Sequence, residues 1–304
     1  MADTVLLINH DSSVPNLALM KLSAYHKSRG DSVLLDMPLF PHDLCYVSRV
    51  FTFSPPITYP GFAVVGGPGH RLGSSLPPAV EGMVPDYSLY NLDYSVGYTS
   101  RGCIRSCPFC IVNSHEGPFH VVGDIHSFWN RSHKRIVIMD NNILADKAHF
   151  LMICSQLRDN NLHVTFEQGL DIRLVDEWVG SALKTLKYYR YTFSWDSVLD
   201  ERAVLAGIKC LTRFISPFRL VCNVLVGFDS TIEEDIFRIN SLHSLGISPF
   251  CMVYERTRAT PLVRLFQRFV NSRFYSRFSF YEWLTHRKDT HLYALWSSHV
   301  GPLS

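Results

Sequence analysis

The feature that most constrains the fold is an alternation of short apolar runs with helical segments through the middle of the chain. The runs recur at intervals of about 30 residues, which is typical of strands that alternate with helices. They lie at 96–99, 136–139, 163–166, 189–193, 220–226 and 250–254. Such a series predicts parallel strands joined by right-handed crossovers. We therefore predict an α/β fold built on a partial (β/α)6 TIM-like barrel, since a closed barrel of this type has eight units.

A smaller α/β unit is predicted before the barrel. Apolar runs at 5–8, 32–35 and 62–65 indicate strands, and a helical pattern from Leu17 separates the first two. Strand, helix and strand in this order form a βαβ unit. The proline-rich stretch at 76–87 is typical of a linker. The predicted domains are a Rossmann-like domain over 1–85, a barrel domain over 90–255 and a helical C-terminal extension over 256–304.

Three cysteines follow the first of the six barrel strands. Cys103, Cys107 and Cys110 have the spacing C-x3-C-x2-C, so one loop can bring three thiolates to one metal centre. A four-iron four-sulfur cluster normally takes four cysteines, and three would leave one iron open to a ligand. A zinc site remains an alternative, although no second Cys or His pair follows at the usual distance. A disulfide is the other alternative, and we expect a reduced protein because the chain shows no secretory signal.

The remaining cysteines are predicted to be small buried hydrophobes, because burial is the usual state of a free cysteine. They are Cys45, Cys154, Cys210, Cys222 and Cys251.

The cysteine loop resembles that of the radical S-adenosylmethionine (SAM) superfamily. The resemblance rests on the arginine–glycine pair before Cys103, the spacing of the three cysteines and the aromatic Phe109 before Cys110. It implies an enzyme in which the methionyl group of SAM chelates the open iron. Reductive cleavage of SAM at the cluster would yield a 5′-deoxyadenosyl radical, which abstracts hydrogen from a substrate that the sequence does not identify. It also implies that Phe109 packs beside the adenine, and that a flavodoxin- or ferredoxin-like protein supplies electrons.

The first 80 or so residues resemble the Rossmann-like cobalamin-binding domain that precedes some radical enzymes. The matching stretches are 14–20 and 65–70. The D-x-H-x-x-G loop that supplies the lower histidine ligand of cobalt is absent, and His10 and His70 are the nearest histidines. We therefore predict the fold without cobalamin, since a fold does not carry its function with it. A cobalamin-dependent radical methyltransferase is the alternative.

Polar residues follow several predicted strands, and the C-terminal strand ends of a barrel are where sites gather. The resemblance implies that residues at these ends contact SAM. The candidates are Asn141, Asn142, Gln168, Arg173, Ser194, Asp196 and Gly227. For Arg173, two expectations stay open. It can pair with the methionyl carboxylate, or it can form a surface ion pair with Asp176 or Glu177.

Charge is distributed unevenly along the chain. The net charge is +2, but residues 256–304 hold eight basic and two acidic side chains, a net charge of +6 that leaves −4 for residues 1–255. Arginines interleave with aromatic residues there, a pattern that suits a nucleic-acid surface. An amphipathic helix packed on the barrel, with its arginines in water, is the alternative. A non-catalytic metal protein that binds nucleic acid through this extension is thus a further hypothesis.

The composition of the chain and its N-terminal residues indicate what class of protein it is and where in the cell it is expected. The 47% hydrophobic and 18% charged content fits a globular protein. No run of about 18 uncharged apolar residues predicts a membrane span. The N-terminus lacks the basic start and the cleavage site of a signal peptide. We therefore expect a cytoplasmic protein that does not enter a membrane.

Overall fold

The computed structural model describes residues 2–287 and Leu292, so Lys288 and Asp289 of the basic extension lie outside the described residues. The chain forms two compact units. The first holds Met1–Gln168 and Leu186–Tyr188, and the second holds Gly169–Thr185 and Tyr189–Ser304. The domain boundaries expected from the sequence stay a prediction.

The first unit begins with a four-stranded parallel sheet. Its elements are β1 (Thr4–Asn9), α1 (Leu17–Ser28), β2 (Ser32–Leu35), β3 (Leu44–Ser48), β4 (Val64–Gly66) and α2 (Pro78–Glu81). The strand order is β2-β1-β3-β4, and all neighbours are parallel. Alternate residues of β1 are buried on opposite faces, because Val5 and Leu7 pack with Leu19 of α1 whereas Leu6 packs with Cys45 of β3. The βαβ unit is as predicted, β3 was not predicted, and β4 begins two residues later than the apolar run suggests.

A second parallel sheet follows in the same unit. Its elements, with a short hairpin between them, are β5 (Ser95–Gly97), β6 (Ser100–Arg101), α3 (Val112–His115), β7 (His120–Val121), β8 (Arg135–Ile138), α4 (Lys147–Asp159) and β9 (His163–Phe166). The order is β5-β8-β9, with parallel neighbours. Asp146 caps α4, since its carboxylate accepts a hydrogen bond from the His149 N–H at 3.0 Å.

The second unit contains the third parallel sheet. Its elements are α5 (Glu177–Lys184), β10 (Tyr191–Ser194), α6 (Glu201–Leu211), β11 (Leu220–Val226), α7 (Ile232–Ser244), β12 (Ser248–Val253), α8 (Pro261–Asn271) and α9 (Phe280–His286). The order is β10-β11-β12, again parallel. Each of the six predicted barrel strands thus has a counterpart in a parallel sheet, three in each unit. Their closure into one partial barrel stays a prediction.

Ser230 and Glu233 have the spacing of a capping box, which predicts that Ser230 is the N-cap of α7. This prediction is wrong by one residue, because Thr231 is the N-cap. Its hydroxyl accepts from the Glu234 N–H at 3.2 Å, and the Glu234 carboxylate accepts from the Thr231 N–H at 2.8 Å. The Ser230 hydroxyl donates instead to Oδ1 of Asp235, at 2.6 Å.

The described part of the C-terminal extension packs on the third sheet. Phe266, Phe269 and Val270 on one face of α8 are buried. The Asn271 amide joins α8 to β12, accepting from the Cys251 N–H at 2.8 Å and donating to the Cys251 carbonyl at 3.0 Å. The amphipathic packing expected from the sequence is therefore present. Among the described residues, no helix combines the length and the apolar character that crossing a bilayer requires.

Candidate cluster-binding site

A short hairpin carries the three cysteines. Antiparallel pairing of β6 with β7 closes the loop over 102–119, just after β5 ends. Gly102 opens this loop with a φ of +71°, and a Cβ at that position would lie 2.3 Å from the Pro118 carbonyl oxygen. Only glycine meets both requirements, so the residue before Cys103 is fixed by backbone conformation and by space.

Glu116 fastens the loop to the end of β8. One oxygen of its carboxylate accepts from the Gly102 N–H at 2.9 Å and from the Asn141 amide at 2.6 Å. The other oxygen lies 3.2 Å from the Arg101 guanidinium, which itself sits 4.0 Å from the centre of the Tyr98 ring. Sequence reasoning missed Glu116, because a single glutamate in a polar loop forms no pattern.

The three cysteines are accessible and unbridged. Cys103 and Cys107 are half-buried, Cys110 is exposed, and none of the three is part of a disulfide. The Cys110 N–H donates to the Cys107 carbonyl at 3.0 Å, which makes a turn between these two residues. The Cys103 sulfur accepts from the Arg105 N–H at 3.3 Å and from the Asn142 amide at 3.7 Å. Hydrogen bonds to the sulfurs are among the features that tune iron–sulfur clusters.

The other five cysteines are more buried than the exposed Cys110, or have a raised thiol pKa, or both. Cys45, Cys154, Cys222 and Cys251 are buried, as predicted, whereas Cys210 is half-buried. Burial raises the pKa of all five thiols, that of Cys154 to about 12. Because a thiol must lose its proton to bind a metal, these five are poor ligands. The eight cysteines thus divide into an accessible loop triad and five thiols whose pKa is raised by burial.

The loop fits the cluster that its spacing implies. Within residues 2–287 and Leu292, no three His, Cys, Asp or Glu side chains converge closely enough to hold a single metal ion. Ligands of an iron–sulfur cluster need not converge on one point, since each thiolate binds a different iron. One loop supplies three accessible cysteines, and hydrogen bonds are directed at one of the sulfurs, so the chemistry of the donor set fits such a cluster.

Asp140, just after β8, forms hydrogen bonds with the residues that follow β5, beside the cysteine loop. Its buried carboxylate accepts from the Thr99 N–H at 2.7 Å, from the Thr99 hydroxyl at 2.5 Å and from the Ser100 hydroxyl at 2.6 Å. The Thr99 hydroxyl lies 2.9 Å from Nε2 of the buried His149 on α4. Burial raises the pKa of the Asp140 carboxyl, although these hydrogen bonds act to lower it. The network ties β5, β8 and α4 together behind the loop.

The structure brings Asn141 and Asn142 to the cysteine loop through Glu116 and Cys103, respectively. Phe109 is half-buried within the loop, and Gln168 is exposed after β9. The SAM contacts expected of these four residues stay predictions.

A cavity of about 420 Å³ adjoins the loop within the first unit. The residues that line it include Tyr98, Arg101, Lys21 and Glu81. Lys21 Nζ and Glu81 Oε1 form an ion pair at 2.6 Å. The volume is that of a small-molecule site.

Arg173 in the second unit has partners that differ from the predicted ones. Its guanidinium pairs with Asp171 at 2.7 Å and with Asp200 at 2.6 Å. Of the two partners predicted for a surface ion pair, Asp176 caps α5 with its carboxylate and Glu177 pairs with Arg213. Two carboxylates already balance the charge of Arg173, which weakens the expectation that it binds the carboxylate of a cofactor.

Arg238 of α7 organises the strand ends of the second unit. It is fully buried, and it donates to the Trp195 carbonyl at 2.7 Å and to the Leu225 carbonyl at 2.8 Å. The same guanidinium contacts the Asp235 carboxylate at 2.5 Å and the Ser230 hydroxyl at 3.2 Å. Arg238 thereby links β10, β11 and α7 at the edge where Asp196 and Gly227 follow their strands.

Ser194, Asp196 and Gly227 all lie at this edge. Ser194 ends β10 and is half-buried, and Gly227 directly follows β11 with a φ of +74°. Asp196 is partly buried, and burial raises its pKa to about 6 although Arg238 and Arg173 oppose the rise. Their expected contacts with SAM stay predictions.

Asp196→Asn is expected to stabilise the protein at pH 7 but not at pH 4. The folded protein holds the Asp196 proton up to about pH 6, whereas the usual pKa is 3.8. The wild type therefore loses stability as the pH rises through this window, and the neutral amide does not. We expect a difference of about 2 kcal/mol at pH 7, measured by urea denaturation at fixed ionic strength. A difference that stays constant from pH 4 to pH 7 would contradict the assignment.

The N-terminal sheet has a topological switch point between β1 and β3, where ligands of open α/β sheets commonly bind. Asp11 lies just after β1, and its carboxylate connects this strand end to the segment after β3. It accepts from the Val50 and Phe51 N–H groups at 2.8 and 2.9 Å and from the Ser54 hydroxyl at 2.7 Å. His10 contacts the Tyr59 hydroxyl. The loops around the switch point are therefore tied to one another.

Comparisons with known proteins bear on the fold. No family model matches the sequence, and no curated protein does. The structure is similar to that of TsrM, a radical S-adenosylmethionine methyltransferase from Kitasatospora setae solved with cobalamin and a [4Fe-4S] cluster bound. The TM-score is 0.59 at 12% sequence identity, over 83% of this chain and 75% of that one. The chain thus has an α/β fold with parallel sheets that is similar to the fold of a radical SAM methyltransferase.

Proposed function

We propose that the protein is a radical SAM enzyme whose Cys103, Cys107 and Cys110 hold a four-iron four-sulfur cluster. The observation that carries the proposal is the cysteine loop. It presents three accessible, unbridged cysteines after the first strand of a parallel sheet, whereas burial raises the pKa of the other five. The fold likeness to TsrM supports the same assignment.

When bound by these cysteines, the cluster would supply the electron for reductive cleavage of SAM at its sulfonium. The chain's own residues fix the ligands. Asn142 positions the Cys103 sulfur, and Glu116 holds the loop against Asn141. Cys110 is exposed, so a flavodoxin- or ferredoxin-like donor could approach within electron-transfer distance of the cluster.

Methyl transfer with cobalamin is the second candidate, and it fits at least as well as hydrogen abstraction. TsrM is a methyltransferase that was solved with cobalamin bound, and the likeness extends over 83% of this chain. The open switch-point topology of the N-terminal sheet agrees with a ligand there. The missing D-x-H-x-x-G loop argues only against a histidine ligand to cobalt. The preference for a cobalamin-free domain is therefore given up.

Product analysis separates the two candidates. The full chain is reconstituted anaerobically and incubated with SAM and reductant, with and without hydroxocobalamin. Hydrogen abstraction predicts 5′-deoxyadenosine in both samples. Methyl transfer predicts S-adenosylhomocysteine that requires the corrinoid, together with corrinoid absorbance that stays with the protein through gel filtration. Absence of both products would contradict the proposed function.

A further inference from the structure

The C-terminal extension presents arginines that the packing of α8 does not use. Arg264 and Arg268 are exposed and lie four residues apart, hence on the same side of the helix. Phe266 and Phe269 on its other side are buried. The helix is therefore anchored by its aromatic side chains, and its basic face is left to solvent.

Arg273 occupies a position that glycine usually takes. It directly follows the C-cap residue of α8 and has a φ of +60°. That backbone conformation is unfavourable for any residue with a side chain and is the reason that glycine commonly ends helices. An arginine at this place is not explained by the helix end, and its exposed side chain turns to a neighbouring cavity.

The cavity beside Arg273 has a volume of about 360 Å³. His243, Ser248, Tyr275 and Ser276 also line it, and the His243 and Tyr275 rings meet edge to face with centroids 5.1 Å apart. None of the residues that line it, all within the described part of the chain, carries a carboxylate. A guanidinium, an imidazole and hydroxyl groups around one concavity suit a phosphate, and the adjacent rings offer a stacking surface.

Charge balance supports an anionic partner. Over residues 256–287 the chain has seven arginines and one acidic residue, Glu282, whose carboxylate is engaged in the capping box of α9. Within residues 2–287 and Leu292, no carboxylate lies within ion-pair distance of Arg264, Arg268, Arg273 or Arg277. Solvation alone can accommodate such groups, but it does not account for the unfavourable backbone of Arg273.

We propose that this basic face, defined as Arg264, Arg268, Arg273 and the cavity lined by His243 and Tyr275, binds single-stranded nucleic acid. Arginines would contact successive phosphates, and a base would stack beside the cavity. An anionic membrane fits less well, because membrane-surface helices insert apolar side chains and Phe266 and Phe269 of α8 are buried.

The basic face is a docking surface, separate from the candidate chemistry of the second unit. Gly246, Ile247 and Ser248 of the cavity lie at the N-terminal end of β12, whereas Asp196 and Gly227 follow the C-terminal ends of β10 and β11. Strands of this length span about 20 Å.

The test is binding of a fluorescein-labelled oligouridine 20-mer to the full chain, followed by anisotropy at several salt concentrations. No cofactor is added, so failure here is distinguishable from failure of the proposed radical chemistry. The triple variant Arg264→Gln/Arg268→Gln/Arg273→Gly should bind about tenfold more weakly or worse. The slope of log K against log salt should fall in magnitude by about 2, as expected for three lost contacts to a single strand.

Two variants control for folding and for general charge. Arg273→Gly alone should weaken binding while leaving the melting temperature at or above that of the wild type, since glycine suits the φ of +60°. Arg202→Gln removes an exposed arginine of α6 and should leave binding unchanged. The proposal would be overturned by undetectable wild-type binding, by an unchanged salt slope in the triple variant, or by an equal loss in Arg202→Gln. Arginine-dependent binding to phosphatidylserine vesicles without binding to the oligonucleotide would overturn it in favour of a membrane.

Discussion

Replacing Cys107 with alanine is expected to remove most of the iron and all of the SAM-derived product. Cys107 is one of three cysteines on the loop over 102–119, and the buried cysteines cannot substitute because they lie outside this loop and burial raises their pKa. Changes beside a metal ligand typically cost 10–100-fold, so loss of a ligand should exceed about 100-fold in product formed. Iron per chain should fall from about four toward zero after anaerobic reconstitution.

The matched control is Cys210→Ala. Cys210 is half-buried on α6, outside the loop, and burial raises its pKa. This variant should retain the iron content and the product yield of the wild type. Equal iron in Cys107→Ala and the wild type would show that the loop does not hold the cluster.

Arg238→Met is expected to destabilise the protein by about 3–5 kcal/mol, the usual effect of breaking a buried ion pair by removing one partner. The change would leave the Asp235 carboxylate buried without its cation, and the Trp195 and Leu225 carbonyls without their donor. Burial already raises the pKa of Asp235 in the presence of Arg238. The loss should therefore grow with pH as the unpaired carboxylate is forced to ionise. Urea denaturation at pH 5 and pH 8 measures both effects.

Two further variants serve as controls for Arg238→Met. One breaks an exposed ion pair, and the other removes both members of the buried pair. Arg213→Met breaks the ion pair with Glu177, in which both side chains are more than half exposed, and should cost less than about 1 kcal/mol. Arg238→Met/Asp235→Leu should recover part of the loss, because it removes the stranded carboxylate. Equal effects of Arg213→Met and Arg238→Met would contradict the role assigned to the buried arginine.

The sequence predicted the features that depend on local pattern. The strand over 220–226 was predicted to the residue, because an apolar run depends only on neighbours along the chain. The cysteine triad was recognisable for the same reason, since one loop supplies all three sulfurs. β3 was missed because its short run contains few consecutive strongly apolar residues.

The side chains that connect the strand ends within each unit were not predictable, because their partners lie far away in the sequence. Glu116 accepts a hydrogen bond from Asn141, 25 positions away in the sequence. Arg238 donates one to the Trp195 carbonyl, 43 positions away in the sequence. A faint signal existed for Arg238, which shares the buried side of α7 with Asp235 and Leu242. A polar pair on an apolar helix face indicates a buried network. The partners of Arg173 were likewise missed because Asp200 lies beyond the next strand.

The cluster assignment is decided by the metal and sulfide content of the full chain after anaerobic preparation, with electron paramagnetic resonance of the reduced protein before and after SAM is added. A radical SAM enzyme should contain about four irons and four sulfides per chain and give a spectrum that changes when SAM binds. One zinc per chain with no iron, or a cluster whose spectrum SAM leaves unchanged, would contradict the assignment.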